Sequence, residues 1–342
     1  MRIAALLTVI ASLWVLWIAP AQAVSVSGLY EANVMVEDQS DASRRQGLGQ
    51  ALQQVLVKVS GSRDAIASKA LQPTLADPQR LVESFSYTRD PVDDALLLQV
   101  RFASHLIDQA LVQAQLPVWG RSRPLVLVWQ AVEDGPLRLL LGQDASLWRV
   151  QGDRAMAERG LPVLWPTLDL QDELALPVEA VWGLFSDRIE SASERYRSDA
   201  VLAGRLSAVA GQWRYSGQLW HQQRWQPVSA VAGNAADAMR LVADVVADRF
   251  ASQYAVRRQV TADNGFLLLV NGVRQFADYQ ALLNYLKANV AIDDAQVVRV
   301  DGDQLQLKLQ LAAPWAQVWG VLSLDNRLQQ TGQPGVVEWL NP

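Results

Sequence analysis

Only two histidines occur in the 342-residue chain, His105 and His221. His105 stands before Leu106 and Ile107 near an expected helix start. His221 stands beside Gln222 and Gln223 at an expected hairpin tip. Their separation is no metal-ligand spacing. A hydrolytic triad would need a serine and an acid brought from afar, and no Gly-x-Ser-x-Gly elbow is present. Carboxylates offer more: Asp169, Asp172 and Glu173 follow an apolar stretch ending at Leu168. Acids beyond the carboxyl end of a strand lie where α/β sheets bind ligands, and paired carboxylates are what glycan cleavage requires. The same acids also suit the first turn of a helix, where they meet the positive end of its dipole, and that reading is favoured. Asp93-Asp94 and Asp293-Asp294 read as turns, because the ligand spacing of a calcium loop is missing. There are no cysteines, hence no thiolate, disulfide or lipidated cysteine. No Gly-rich phosphate loop occurs. No catalytic, cofactor-binding or metal-binding set is expected.

Thirteen tryptophans remain to be placed. Trp213, Trp220 and Trp225 cluster in one stretch, and Trp315 and Trp319 stand one helical turn apart. Such rings stack on sugars, anchor partners, or pack a hairpin against a helix, and packing is favoured. Strand alternation puts Trp213, Tyr215, Gly217 and Leu219 on one face and Trp220 on the other. The candidate ligand or partner surface is therefore Trp220, Trp225, Asp169 and Asp172.

These residues need a frame. Residues 1–23 read as an export signal: Arg2 is the only charge before Glu31, an apolar run reaches Ala19, and Ala21-Gln22-Ala23 supplies the small residues for cleavage after Ala23. A periplasmic protein is expected, touching membrane only if that segment is retained. The net charge of −5 argues against nucleic acid, which needs basic surface. Half the residues are hydrophobic, enough for a core without disulfides.

The remaining length exceeds one core, and three α+β or α/β domains are expected. Residues 24–119 read β-α-α-β-α, with a strand at Tyr30–Val36, a helix capped by Ser40 or Asp41 and ended by Gly61, a short helix from Asp77-Pro78 toward Phe85, a strand at Leu96–Phe102 and a last helix. Leu116–Pro124, with two prolines and a glycine, is a boundary. Residues 123–256 hold a buried strand at Leu125–Ala131, a polar turn at Glu133–Pro136, a helix closed by Gly160, a strand at Leu161–Leu164, and helical pieces leading to a strand at Asp199. A hairpin and a helix capped by Asn234 follow. Arg257–Asn264 reads as a linker. Residues 265–340 read β-α-β-β-α-β, the ferredoxin-like split βαβ pattern, with a turn at Asp301-Gly302-Asp303.

The segments Tyr30-Glu-Ala-Asn-Val-Met-Val-Glu-Asp-Gln-Ser, Leu116-Pro-Val-Trp-Gly, Arg123-Pro-Leu-Val-Leu-Val-Trp, Arg159-Gly-Leu-Pro-Val-Leu and Tyr196-Arg-Ser-Asp-Ala-Val-Leu-Ala-Gly-Arg-Leu resemble an exported proteobacterial family classed as a domain of unknown function. That resemblance spans most of 28–256 and implies no activity. The layout of Asp199–Gly204, the Trp213–Trp225 hairpin and the Ala235–Tyr254 helix is similar to envelope accessory domains. These are the amino-terminal domain of the Tol-Pal translocation protein, the curli-secretion lipoprotein and the lipoprotein activators of penicillin-binding proteins. Those lipoproteins carry an acylated cysteine that this chain lacks, and a shared fold does not fix function. Together these readings lead to a non-enzymatic protein that binds a protein partner in envelope assembly or maintenance. The alternative is a protein that binds or acts on glycan or peptidoglycan through Trp220, Trp225, Asp169 and Asp172.

Overall fold

The computed structural model describes residues 26–91, 94–144, 146–258 and 265–340. The expected signal with its cleavage point, and positions 259–264 of the expected linker, lie outside the described residues. Three sheets, each mixed with helices, carry the described chain, as the α+β and α/β reading anticipates.

The first sheet orders its strands β1-β3-β2, all antiparallel neighbours, from β1 (Glu31–Met35), β2 (Val82–Arg89) and β3 (Leu96–Phe102). Ala32, Val34, Leu98, Val100 and Phe102 bury one face against α1 (Asp41–Ser60). The Ser40 side chain accepts from Ser43 N at the start of α1, and Gly61 ends the helix at φ 77°, a conformation glycine adopts without a Cβ penalty. The Cβ that Gly61 lacks would stand 2.3 Å from the Ala251 side chain, so this turn is also a point of close approach between units. After α2 (Gln72–Ala76), the helix expected toward Phe85 is only one 3₁₀ turn, Pro78–Leu81, and β2 follows directly. Ser84, Ser86 and Thr88 alternate with Phe85 and Tyr87, a period of two that outweighs the proline start signal. α3 (Ser104–Gln113) closes the unit.

The second sheet runs β5-β4-β7-β8-β9, with β6 pairing β4 in parallel. Its strands are β4 (Val126–Asp134), β5 (Leu137–Leu140), β6 (Val163–Leu164), β7 (Ala200–Val209), β8 (Gln212–His221) and β9 (Arg224–Ala232). The polar turn at Glu133–Pro136 proves to be the tip of a β4–β5 hairpin. β4 and β7 are parallel and central. They are buried on both faces, which is why they read as continuous apolar runs. Val126, Val128, Val132, Leu202 and Leu206 pack under α4 (Leu147–Glu158) and α8 (Ala235–Tyr254). Leu127, Trp129, Val201 and Ala203 pack under α6 (Val178–Trp182) and α7 (Ser186–Ser193), beside α5 (Leu170–Ala175).

The third sheet runs β11-β12-β10-β14-β13. β10 (Phe266–Asn271) and β11 (Ile292–Asp301) flank β12 (Gln304–Leu311), antiparallel to both. α9 (Phe276–Lys287) and α10 (Trp315–Leu322) connect them. This is the anticipated split arrangement with one addition: β13 (Leu328–Gln330) forms a hairpin with β14 (Val336–Trp339), and β14 joins β10 in parallel.

The units are welded. Val118 and Val256 exchange backbone hydrogen bonds of 2.8 and 2.9 Å. Gln317 Nε2 donates to Ala255 O at 2.8 Å, and Ser122 Oγ to Asp325 at 2.9 Å. The boundary expected at Leu116–Pro124 is therefore no loose tether: Trp119 is buried in the core of the second unit.

Candidate binding groove

A cavity of about 1280 Å³ lies where the first unit faces α4 of the second. Two helical stripes form its walls. Gln50, Gln53, Gln54 and Val57 of α1 follow i, i+3, i+4, i+7 spacing, as do Val150, Asp153, Arg154 and Ala157 of α4. β1 contributes all five of its residues, Glu31–Met35, while β3 adds Gln99 and Arg101 and β2 adds Ser84 and Ser86. Amides, hydroxyls and charges thus share the lining with Ile66, Phe85, Pro91, Leu97 and Val100.

Most of those charges are paired across the groove or at its rim. Arg101 meets Glu31 at 2.9 Å, and Arg154 meets Asp90 of the β2–β3 connection. Arg159, 1% exposed, binds Asp244, Asp248 and Gly61 O, and Arg63 meets Asp244 at 2.8 Å. These contacts tie α1, α4 and α8 together at one end.

Two groups depart from this pattern. Lys58 is 9% exposed, and its ammonium donates to Glu31 O at 2.9 Å and Gly28 O at 3.3 Å. Burial, with the Arg123 charge nearby, pulls its amine down to about 8. Glu158 lines the same end, and burial pushes its carboxyl above the usual range. It makes no hydrogen bond or ion pair of its own to another described residue, although Arg240, Arg63 and Arg154 attract it at longer range.

Behind the groove, Arg123 is sealed in the junction. Its five N–H groups meet five carbonyls: Gly120 at 3.0 Å, Arg159 at 3.0 Å, Gly160 at 3.1 Å, Lys58 at 2.8 Å and Trp119 at 2.9 Å. The guanidinium stacks on the Trp119 ring at 3.9 Å. That is the full donor complement of arginine.

The residues singled out from sequence lie on the other side of the second sheet, with α5–α7. Asp169 caps α5 by accepting from Asp172 N at 3.0 Å, and Arg195 grips it at 2.7 and 2.8 Å. Those bonds hold its carboxyl far below the usual carboxylate range. Asp172, 1% exposed, accepts from Arg195, Leu168 N, Thr167 and the Tyr196 hydroxyl. The two acids are brought together, with an arginine saturating them. Trp220 and Trp225 face each other across β8 and β9, half-buried against the apolar cluster that includes Leu176 and Tyr196. His221 packs on the α8 side, where its Nε2 is 3.0 Å from the Tyr254 hydroxyl and its ring meets Phe250 edge-on. Burial lowers its pKa. Among the described residues, no group of three or more acids, histidines or cysteines could hold a metal ion, and no helix is long and apolar enough to cross a membrane.

Sequence reasoning missed Lys58, Glu158 and the glutamine stripe. The signals existed: Lys58 is the one charge inside Val55-Leu-Val-Lys-Val59, and three glutamines share one helix face. No curated protein and no solved structure matches the chain. Residues 23–120, which take in the first sheet with α1–α3 and reach the start of the junction, match the family described as Domain of unknown function (DUF8605).

Proposed function

We propose that this protein is an exported, non-catalytic binding module of the bacterial envelope, and that it engages its partner in the groove between the first and second sheets. The observation that supports this reading is the groove's construction. Two units held by buried arginines form fixed walls, and the lining is rich in amides and hydroxyls that recognise polar ligands by hydrogen bonding. The signal pattern ending at Ala23 and the resemblance to envelope accessory domains supply the compartment. Pre-organised walls lower the ordering cost of binding, which suits an accessory role in assembly or maintenance.

Site-specific photo-crosslinking in the native host tests it. A photoreactive residue at Gln53 or Gln99 should capture one reproducible envelope protein, and amino-terminal sequencing of the periplasmic form should begin at Val24. Adducts formed only from positions 174 or 220, outside the groove, would overturn the choice of seat. Peptidoglycan sedimentation that disappears with Trp220→Ala would favour the glycan reading instead.

A further inference from the structure

We propose, building on the groove reading above, that the occupant is an extended polypeptide segment carrying a lysine or arginine, which adds as a strand to the outer edge of β1 with its cation against Glu158.

Among the described residues β1 is an edge strand, paired with β3 alone. Consecutive residues of a strand point to opposite faces, yet all five line the cavity. Gln50, Gln53, Gln54 and Val57 of α1 line the same cavity on one side of β1, and Ser84, Ser86 and Gln99 line it on the other, so the cavity wraps the outer edge of β1. The ladder to β3 uses Tyr30 O, bonded by Phe102 N, and Val36 N, bonded to Leu96 O. With a period of two, Ala32 and Val34 bond inward while the main chains of Glu31, Asn33 and Met35 face outward. Glu31 is already used: its N–H donates to Gly28 O, and its carbonyl accepts from Lys58. Asn33 and Met35 remain, offering two N–H and two C=O groups, up to about four hydrogen bonds for an added strand.

Edge strands are usually blunted by a lysine, a proline or a covering element. Here the lysine blunts one end alone. Lys58 seals the edge at Glu31 and leaves the Asn33–Met35 stretch facing the groove. Glu158 stands at that sealed end, near enough for its charge to act on Lys58. A half-buried carboxylate without a direct partner among the described residues is matched by an incoming cation. Gln50, Gln53 and Gln54 on the facing wall can bond the outer edge of the added strand, because an amide both donates and accepts.

The probe is a fluorescein-labelled heptapeptide of alternating valine and threonine with one central lysine, titrated by anisotropy into the full mature chain. Its counterparts are N-methylated at odd or at even positions, removing strand donors on one side only, or carry norleucine for lysine. One methylation pattern should weaken binding about tenfold or more, the loss expected for two hydrogen bonds to β1, and the other should weaken it less, because only glutamine contacts are lost. Asn33→Pro, which removes an outward N–H without touching the ladder, should weaken the unmodified peptide similarly. Glu158→Gln should weaken the lysine peptide and leave the norleucine peptide unchanged. Equal binding of both methylated forms, no binding at 1 mM, or binding of a chitin tetrasaccharide in place of any peptide would overturn the proposal. So would dimerisation of the chain itself through this edge. Groove crosslinks in cells combined with failure of every peptide would sink strand addition while leaving the groove reading standing; absence of groove crosslinks would sink the latter.

Discussion

Replacing Arg123 with leucine tests the claim that the first and second units form one body through this side chain. Five carbonyls from three chain segments lose their donor at once: Lys58 at the end of α1, Arg159 and Gly160 just past α4, and Trp119 and Gly120 in the junction. The first three belong to helix ends, whose last carbonyls have no intrahelical partner. A buried acceptor left unmatched costs about 1–3 kcal/mol. Gly120 is half-exposed and can turn to water, and leucine recovers part of the packing on Trp119. The net loss is then about 3–5 kcal/mol, the range seen when a buried charged network loses one member. Set against a usual stability of about 5–15 kcal/mol, that is a large share, and Tm should fall by roughly 10 °C. Arg123→Lys should rescue little, because an ammonium has three donors and no planar fork to stack on Trp119. Urea unfolding followed by tryptophan fluorescence measures the loss, and the weakened junction should split one transition into two. A variant within about 1 kcal/mol of the parent, unfolding in a single step, would refute the reasoning.

Four further perturbations probe other parts of the structure. Lys58 has a folded pKa of about 8 against 10.5 unfolded, so between about pH 8 and 10 the unfolded chain holds more protons and stability rises with pH; urea midpoints at pH 7.5 and 10 should show this rise in the parent and not in Lys58→Met. Arg195→Ala leaves the 1%-exposed Asp172 without its cation and should lower the urea midpoint, with Asp172→Asn restoring much of the loss in the double variant. Gly204→Ala would put a Cβ 2.3 Å from the Tyr215 ring and should lower stability by about 1–3 kcal/mol. Tyr215→Phe, which removes a buried hydroxyl without a partner among the described residues, should leave the calorimetric Tm unchanged or raised.

Much of the fold was legible because local rules and tertiary packing agreed. Ser40 and Gly61 bracket α1, Asn234 opens α8, and the Asp301-Gly302-Asp303 turn joins β11 to β12. The misses have physical causes. β2 carries its two aromatics among serines on a largely exposed edge strand, so burial contributed little to its pattern. β5 and β13 are four and three residues long and take their conformation from the strand beside them. The chemical reading met a different limit. Asp169, Asp172, Trp220 and Trp225 were recognised by type, yet type does not reveal that Arg195 saturates the acids or that the rings lean on Leu176 and its neighbours.

By itself the sequence determined the elements that depend on short-range spacing: periodicity, caps, turns, and the apolar runs of the two central strands. It also limited the chemistry, since two histidines and no cysteine leave few reactive combinations. Only the tertiary structure decided that α1 and α4, about a hundred residues apart, present their polar stripes to one another, and that β1 leaves an edge open between them. The physical reason is that helices and strands form through contacts a few residues away, whereas a groove is made of surfaces that no local interaction specifies. Its geometry is set where Arg123 and Arg159 find their acceptors, on segments the chain order keeps apart.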